Sequence, residues 1–159
     1  MIQIFTTGGT IDKIYFDRKS EYQVGEPQVG EVLREAHVTF PYRIRSVLRK
    51  DSLELTDDDR AAIRQAVVDT ECSRVVITHG TDTMVETARA LRGIPGKVIV
   101  LTGAMQPARF RQTDAVFNIA CAVTAVQLLP PGVHIAMNGR IFDPARARKN
   151  VAENRFEEP

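Results

Sequence analysis

Two hydroxyl-bearing turns hold the residues of this sequence whose types and spacing could do chemistry. The first is Thr6-Thr7-Gly8-Gly9-Thr10-Ile11-Asp12, directly after the apolar run Ile2-Gln3-Ile4-Phe5. The second is His79-Gly80-Thr81-Asp82-Thr83, directly after Val75-Val76-Ile77-Thr78. In each, a short β-rich run breaks into glycine, which permits positive φ and lets another molecule come close to the main chain. A threonine hydroxyl becomes a nucleophile when a neighbouring group takes its proton. Acyl transfer also needs donors for the developing oxyanion, often backbone N–H groups of glycine-rich turns. Thr10 beside Gly8 and Gly9, with Gly80, Thr81 and Asp82 on an opposite wall, supplies two hydroxyls, flexible backbone and a carboxylate. That carboxylate would hold a substrate ammonium or orient a base. Gly-Lys-Ser/Thr and Gly-x-Gly-x-x-Gly are both absent, so the glycines do not read as a phosphate cradle. His79 reads as a packing or hydrogen-bonding residue, because His37 and His134 show no metal spacing with it.

The flanking pattern must bring the two turns together. Residues 2–6 read as a strand and 12–26, without clear periodicity, as a long loop of the kind that serves as a lid. Val29, Val32, Leu33 and Ala36 recur at helical spacing within 28–36, and 42–48 suits a strand. Thr56 is a good N-cap for a helix running to Cys72, with Asp57, Asp58 and Asp59 in a first turn that favours negative charge. Strands follow at 74–78, 97–102 and 133–137, with helices at 83–92 and 114–129 and a loop at 103–113. Asn138-Gly139 is a two-residue turn signal that would pair Arg140-Ile141-Phe142 back as an edge strand. Short all-apolar strands alternating with helices predict an α/β fold: three αβα layers around a mostly parallel, doubly wound, flavodoxin- or Rossmann-like sheet. Ligands of such sheets bind beyond the carboxyl ends of the strands, where both threonine turns and Gly103-Ala104-Met105 fall.

The bulk numbers narrow the class. A chain of 159 residues suits one domain with its own core. A composition of 43% hydrophobic and 26% charged residues is ordinary for a globular protein. The net charge of +1 gives no reason to invoke nucleic acid or an anionic membrane as partner. No apolar run approaches the roughly 20 residues that span a bilayer. The amino terminus lacks the build of a secretory signal, so a cytoplasmic protein is expected. Cys72 and Cys121 match no metal or redox spacing and read as free thiols in helices.

Taken in order, Thr7-Gly8-Gly9-Thr10-Ile11 and His79-Gly80-Thr81-Asp82-Thr83-Met84 resemble the two signatures of the bacterial-type L-asparaginase and glutaminase family. Gly103-Ala104-Met105-Gln106-Pro107, followed by Asp114 and Phe117-Asn118, resembles a third family segment. The resemblance covers nearly the whole chain and corresponds to the amino-terminal domain of a two-domain enzyme, so a short single-domain form over 1–159 is expected. It implies hydrolysis of L-asparagine to L-aspartate and ammonia through a threonine ester, without cofactor or metal, by a homo-oligomer (dimer or tetramer). Residue by residue, Thr10 matches the nucleophile, and Thr81 the threonine that helps activate water or the leaving amide. Asp82 matches the carboxylate of the threonine–aspartate–lysine group, which also binds the substrate ammonium. Ser52, beside Asp51, matches the serine that binds the α-carboxylate. Gly9 and Gly80 supply backbone against the substrate. Ala104 matches the residue whose carbonyl faces the scissile amide, and Tyr22, with Tyr15 as the second candidate, matches the lid tyrosine.

The chain departs from the family pattern in three respects. Counting from Phe117-Asn118 sets the family's lysine at Leu129, leaving Lys13 and Lys149 as candidates to fold in. Leu53 stands where a polar residue is common. The carboxyl-terminal domain that reaches a neighbour's site is not in this chain. The Arg-rich stretch 146–150 could pack on a partner or be solvated. Two alternatives accompany the asparaginase reading. One is a hydrolase of glutamine or another small amide; the other is a binding module that retains aspartate without releasing ammonia.

Overall fold

In the computed structural model, which describes residues 1–16 and 21–159, the chain begins with a strand that has no solvated face. That strand, β1 (Ile2–Gly8), is buried at every position. It is followed by β2 (Lys13–Phe16), β3 (Glu21–Val24), α1 (Val29–Glu35), β4 (Tyr42–Lys50), α2 (Asp57–Asp69) and β5 (Arg74–Thr78). Then come α3 (Met84–Ala90), β6 (Val98–Thr102), α4 (Ala115–Leu128), β7 (Gly132–Met137), β8 (Arg140–Phe142), β9 (Arg148–Asn150) and β10 (Arg155–Glu157). The main sheet runs β4-β1-β5-β6-β7-β8. Its first five strands are parallel, and β8 returns antiparallel to β7 through the Asn138-Gly139 turn.

Alternation along these strands splits the core into two layers. Phe5, Ile77, Ile99, Leu101 and Met137 point to the face covered by α2 and α3, where Ile63, Val67, Met84 and Ala88 meet them. Ile2, Ile4, Val76, Val100 and Ala136 point to the other face, against Val32 and Leu33 of α1 and Ile119, Ala122 and Val126 of α4. Burial on both faces explains why the strands read as continuous apolar runs. The helix starts follow local chemistry. Thr56 and Asp59 form a reciprocal capping box at α2, so the acidic run serves the helix start.

Numbered by sequence among themselves, the parallel strands lie in the order 2-1-3-4-5, the flavodoxin-like arrangement whose switch point falls between the first and third. Here that point lies between β1 and β5, the two strands that end in the threonine turns.

The structure departs from expectation at the 12–26 stretch, at residues 148–157 and at Cys72, and as expected it ends α4 at Leu129. Residues 12–26 are not an irregular loop, because Lys13–Phe16 pairs with Glu21–Val24 as a two-stranded ribbon; residues 17–20 of that stretch lie outside the described ones. Each arm has only four residues, too few to display a period. Residues 148–150 and 155–157 pair as a second ribbon, held by the burial of Phe156 and Ala147. Cys72 lies past the end of α2, which stops at Asp69. Leu129 ends α4, which descends from the carboxyl rim to the amino ends of the strands, where Gly132 pairs with Val98. A side chain there cannot reach the threonine turns. Among the described residues, no helix is long and apolar enough to cross a membrane.

Candidate active site

Four loops meet beyond the carboxyl ends of β1, β4, β5 and β6, and glycine lets them touch. Gly8 and Gly9 have φ of 95° and 90°, which L-residues with a side chain rarely adopt. A Cβ on Gly9 would collide with the main chain of Gly80. One on Gly80 would stand 2.6 Å from the Ser52 hydroxyl oxygen, and one on Gly103 would strike the His79 carbonyl. The loops bearing Thr10, Ser52, Thr81 and Ala104 are therefore stacked backbone to backbone. Gly9 gives its own N–H to the Lys50 carbonyl at 3.0 Å, so its part is the close approach rather than donation to a ligand.

Thr10 opens a short 3-10 turn and is half-buried. With Lys13, Tyr22, Gln106, Pro107 and Phe110 it lines a cavity of about 270 Å³. Tyr22 reaches this cavity from β3, its ring 5.9 Å from that of Phe110 and 5.6 Å from that of Tyr15. Tyr15 supports Tyr22 and is not among the lining residues.

Across the stacked glycines, Thr81 is buried and Asp82 half-exposed. Lys149, on β9, donates to the Thr81 hydroxyl at 2.8 Å and to the Asp82 carboxylate at 2.6 Å. The structure thus brings one of the two candidate lysines to the threonine–aspartate pair. The other, Lys13, forms an ion pair with Asp51 at 2.7 Å. Burial pushes the Asp51 carboxyl up, but the bonds from Lys13 and the Leu53 N–H, with the charges of Lys13 and Lys149, hold it below its usual range. Asp51 also caps the turn Ser52–Glu54. Ser52 is 1% exposed, and its hydroxyl has no hydrogen-bond partner among the described residues; an unsatisfied buried hydroxyl facing Gly80 is what a polar ligand would complete. Leu53, beside it, has an exposed apolar side chain and gives its N–H to the Asp51 carboxylate at 3.2 Å.

The supports of these loops carry less signal in the sequence. The Asp114 carboxylate accepts from the N–H groups of Met105 at 2.9 Å and Gln106 at 3.0 Å, fixing the loop after β6. Asn118 joins that loop to the next turn, donating to the Gly103 carbonyl at 3.0 Å and accepting from the Asn138 N–H at 3.2 Å. Asn138 in turn accepts from the Phe156 N–H at 2.8 Å, which links the relay to the ribbon that carries Lys149. Asp12 is 2% exposed and accepts from the Gln28 N–H at 2.9 Å. Burial pushes its carboxyl up to about 6, against the Gln28 bond and the Arg49 charge. His79 bonds the Gly80 carbonyl at 2.6 Å and the Thr87 hydroxyl at 2.8 Å. Its burial pushes the imidazole down to about 4, so it is a neutral structural residue near pH 7. Among the described residues, no group of three or more His, Cys, Asp or Glu could hold a metal ion.

A flavodoxin-like sheet with stacked glycines, two threonines, an aspartate and a lysine gathered at its switch point defines the class of this α/β protein. The family model described as "Asparaginase, N-terminal" matches residues 1–157, and the chain belongs to the asparaginase family. It is 34% identical over 110 residues to the L-asparaginase of Thermococcus kodakarensis, covering 66% of this chain and 34% of that protein. It is 30% identical over 158 residues to a component of the glutamyl-tRNA(Gln) amidotransferase of Aeropyrum pernix, covering 89% of this chain and 36% of that one. The structure of a probable cytoplasmic L-asparaginase from Campylobacter jejuni superposes with a TM-score of 0.87 at 28% identity, over 99% of this chain and 53% of that one. The chain spans about a third of the length of these two curated relatives.

Proposed function

We propose that the protein hydrolyses the side-chain amide of L-asparagine, giving L-aspartate and ammonia, with residues 1–159 supplying the reacting groups. The observation that carries the reading is Lys149 bonded to both Thr81 and Asp82, on a wall that touches the Thr10 loop through Gly9 and Gly80. In the first half-reaction the Thr10 hydroxyl oxygen attacks the amide carbon while Tyr22 orients it. The hydroxyl proton passes to the departing nitrogen, ammonia leaves, and an ester to Thr10 remains. In the second, water held at the Thr81 hydroxyl adds to the ester; Thr10 recovers a proton and L-aspartate departs. Lys149 and Asp82 fix the Thr81 hydroxyl, and Asp82 also meets the substrate's α-ammonium. Ser52, with its unpartnered hydroxyl, accommodates the α-carboxylate. The Ala104 carbonyl faces the amide nitrogen.

A second reading takes glutamine, or another small amide, as substrate, and the amidotransferase components among the relatives favour keeping it. One methylene changes discrimination by only about 1–3 kcal/mol, so the pocket walls do not decide between them. The protein is further proposed to act in the cytoplasm, in line with the probable cytoplasmic L-asparaginase of Campylobacter jejuni, and as a homo-oligomer.

The test is ammonia release from L-asparagine and L-glutamine by the wild type and Thr10→Ala. Activity is expected with at least one amide and should fall by about 10³-fold or more in the variant, as for loss of a covalent nucleophile. A folded Thr10→Ala with full activity removes Thr10 from the chemistry. Binding of L-aspartate without ammonia release by the wild type would favour the binding-module alternative.

A further inference from the structure

Lys149 occupies the threonine–aspartate pair, which leaves a second lysine at the site without a part in that chemistry. Lys13 begins β2, three residues after Thr10, and lines the same cavity as Thr10 and Tyr22. Its side chain is 25% accessible and its ammonium is held at 2.7 Å by Asp51, the residue next to the unpartnered hydroxyl of Ser52. An ammonium has three donors, and the Asp51 bond directs one of them while leaving donors for a ligand. We infer that Lys13 reads the α-carboxylate of the substrate, making the site selective for zwitterionic α-amino acid amides over amides that lack the carboxylate. The inference rests on the amide-hydrolase reading above.

The charge layout supports this assignment. Two of the ion pairs at the rim are Lys13–Asp51, on the side of the Thr10 turn, and Lys149–Asp82, after β5. Lys13 lines the cavity beside Thr10, and the side chain of Asp82 is 38% accessible. A zwitterionic head group set between them meets opposite charge at both ends. Asp51 stays ionised well below neutral pH, because Lys13 and the Leu53 N–H outweigh its burial. It therefore orients Lys13 at neutral pH, where a substrate carboxylate is charged. The exposed Leu53 side chain has no donor to take its place.

The experiment compares L-asparagine with 3-aminopropanamide, the same amide without its α-carboxylate, on wild type, Lys13→Met and Lys13→Arg. Lys13→Met should raise KM for L-asparagine about tenfold to hundredfold, the span of one charge-assisted hydrogen bond. The loss should fall on KM more than on kcat, and 3-aminopropanamide should change less than threefold. Lys13→Arg should recover most of the affinity. An unchanged KM, or equal losses on both amides, overturns the assignment and leaves Lys13 as an anchor of the β2–β3 ribbon. If the wild type releases ammonia from neither amide, the hydrolase reading fails by itself. Calorimetry with L-aspartate and β-alanine then decides the role of Lys13: weakening of L-aspartate alone by Lys13→Met supports it, and equal effects or none reject it.

Discussion

Asp12 is the residue whose titration should be visible in the stability of the whole fold. Its carboxyl is pushed up from 3.8 to about 6 by burial, so the folded state binds its proton more tightly than the unfolded chain does. Stability contributed by that proton is complete below about pH 4 and is lost as pH rises through 6. At 1.36 kcal/mol per pKa unit the span is about 3 kcal/mol. Asp12→Asn keeps an oxygen for the Gln28 N–H and removes the titration. We predict that the variant gains stability over wild type progressively between pH 4 and 6.5, to a plateau of about 1–3 kcal/mol. Urea melts across that range measure the difference, and a flat one would show that Asp12 does not titrate there. His79 has the opposite sign: its imidazole is pushed down to about 4, so it lowers stability as pH falls below 6.5. It is common to both proteins and cancels. At this scale Thr10, Thr81 and Asp82 stood out in the sequence because each lies in a contiguous glycine-bearing turn after an apolar strand, whereas Ser52, which follows the charged strand β4, stood out only through the family resemblance. Lys149 was legible only as one of two candidates, since its place depends on the path of the chain after Phe142, which no local pattern encodes.

The β9–β10 ribbon is the element on which the site leans most and which the sequence announced least. Its strands have three residues each, and its hold on the sheet is Phe156, which is 2% exposed and packs 6.3 Å from the Phe142 ring. The Asn138 side chain fixes its backbone from the neighbouring turn. Phe156→Ala should cost about 3–5 kcal/mol and loosen the ribbon before the sheet. Hydrogen exchange is expected to accelerate at residues 148–157 more than in β1, β5 and β6. Equal acceleration everywhere, or none at the ribbon, would show that Phe156 does not hold Lys149 in place. The β2–β3 ribbon escaped sequence reading for a related reason. Its four-residue arms expose Tyr15 and Tyr22, which pack on each other rather than on the core, so no buried face imposes a pattern. By contrast, the strands of the main sheet and α2, with its Thr56 cap, follow directly from burial and capping chemistry.

At the scale of the molecule, one sheet separates two apolar layers, and both must be intact for the rim to hold its shape. Ile4 belongs to the α1 and α4 side and Ile77 to the α2 and α3 side, and both are fully buried. Truncating either to alanine should cost about 2–5 kcal/mol. Because β1 and β5 pair directly, each variant should still unfold in one transition, with secondary structure and tyrosine fluorescence lost together. Separate transitions would mean that the two layers are independent. The doubly wound plan was legible from the alternation of apolar strands and helices, and with it the rim where the threonine turns meet. The return path along α3 was not. Arg89, near the end of α3, donates to the Pro144 carbonyl at 2.8 Å, and Lys149 meets Thr81 and Asp82 just before that helix begins. The stretch from 144 to 149 thus travels α3 in reverse and acts as a ruler, its length in residues setting where the ammonium stops. One residue inserted there would overshoot by about 3.3 Å and turn the lysine to the opposite side of its strand, silencing the rim while every layer beneath it stayed in register.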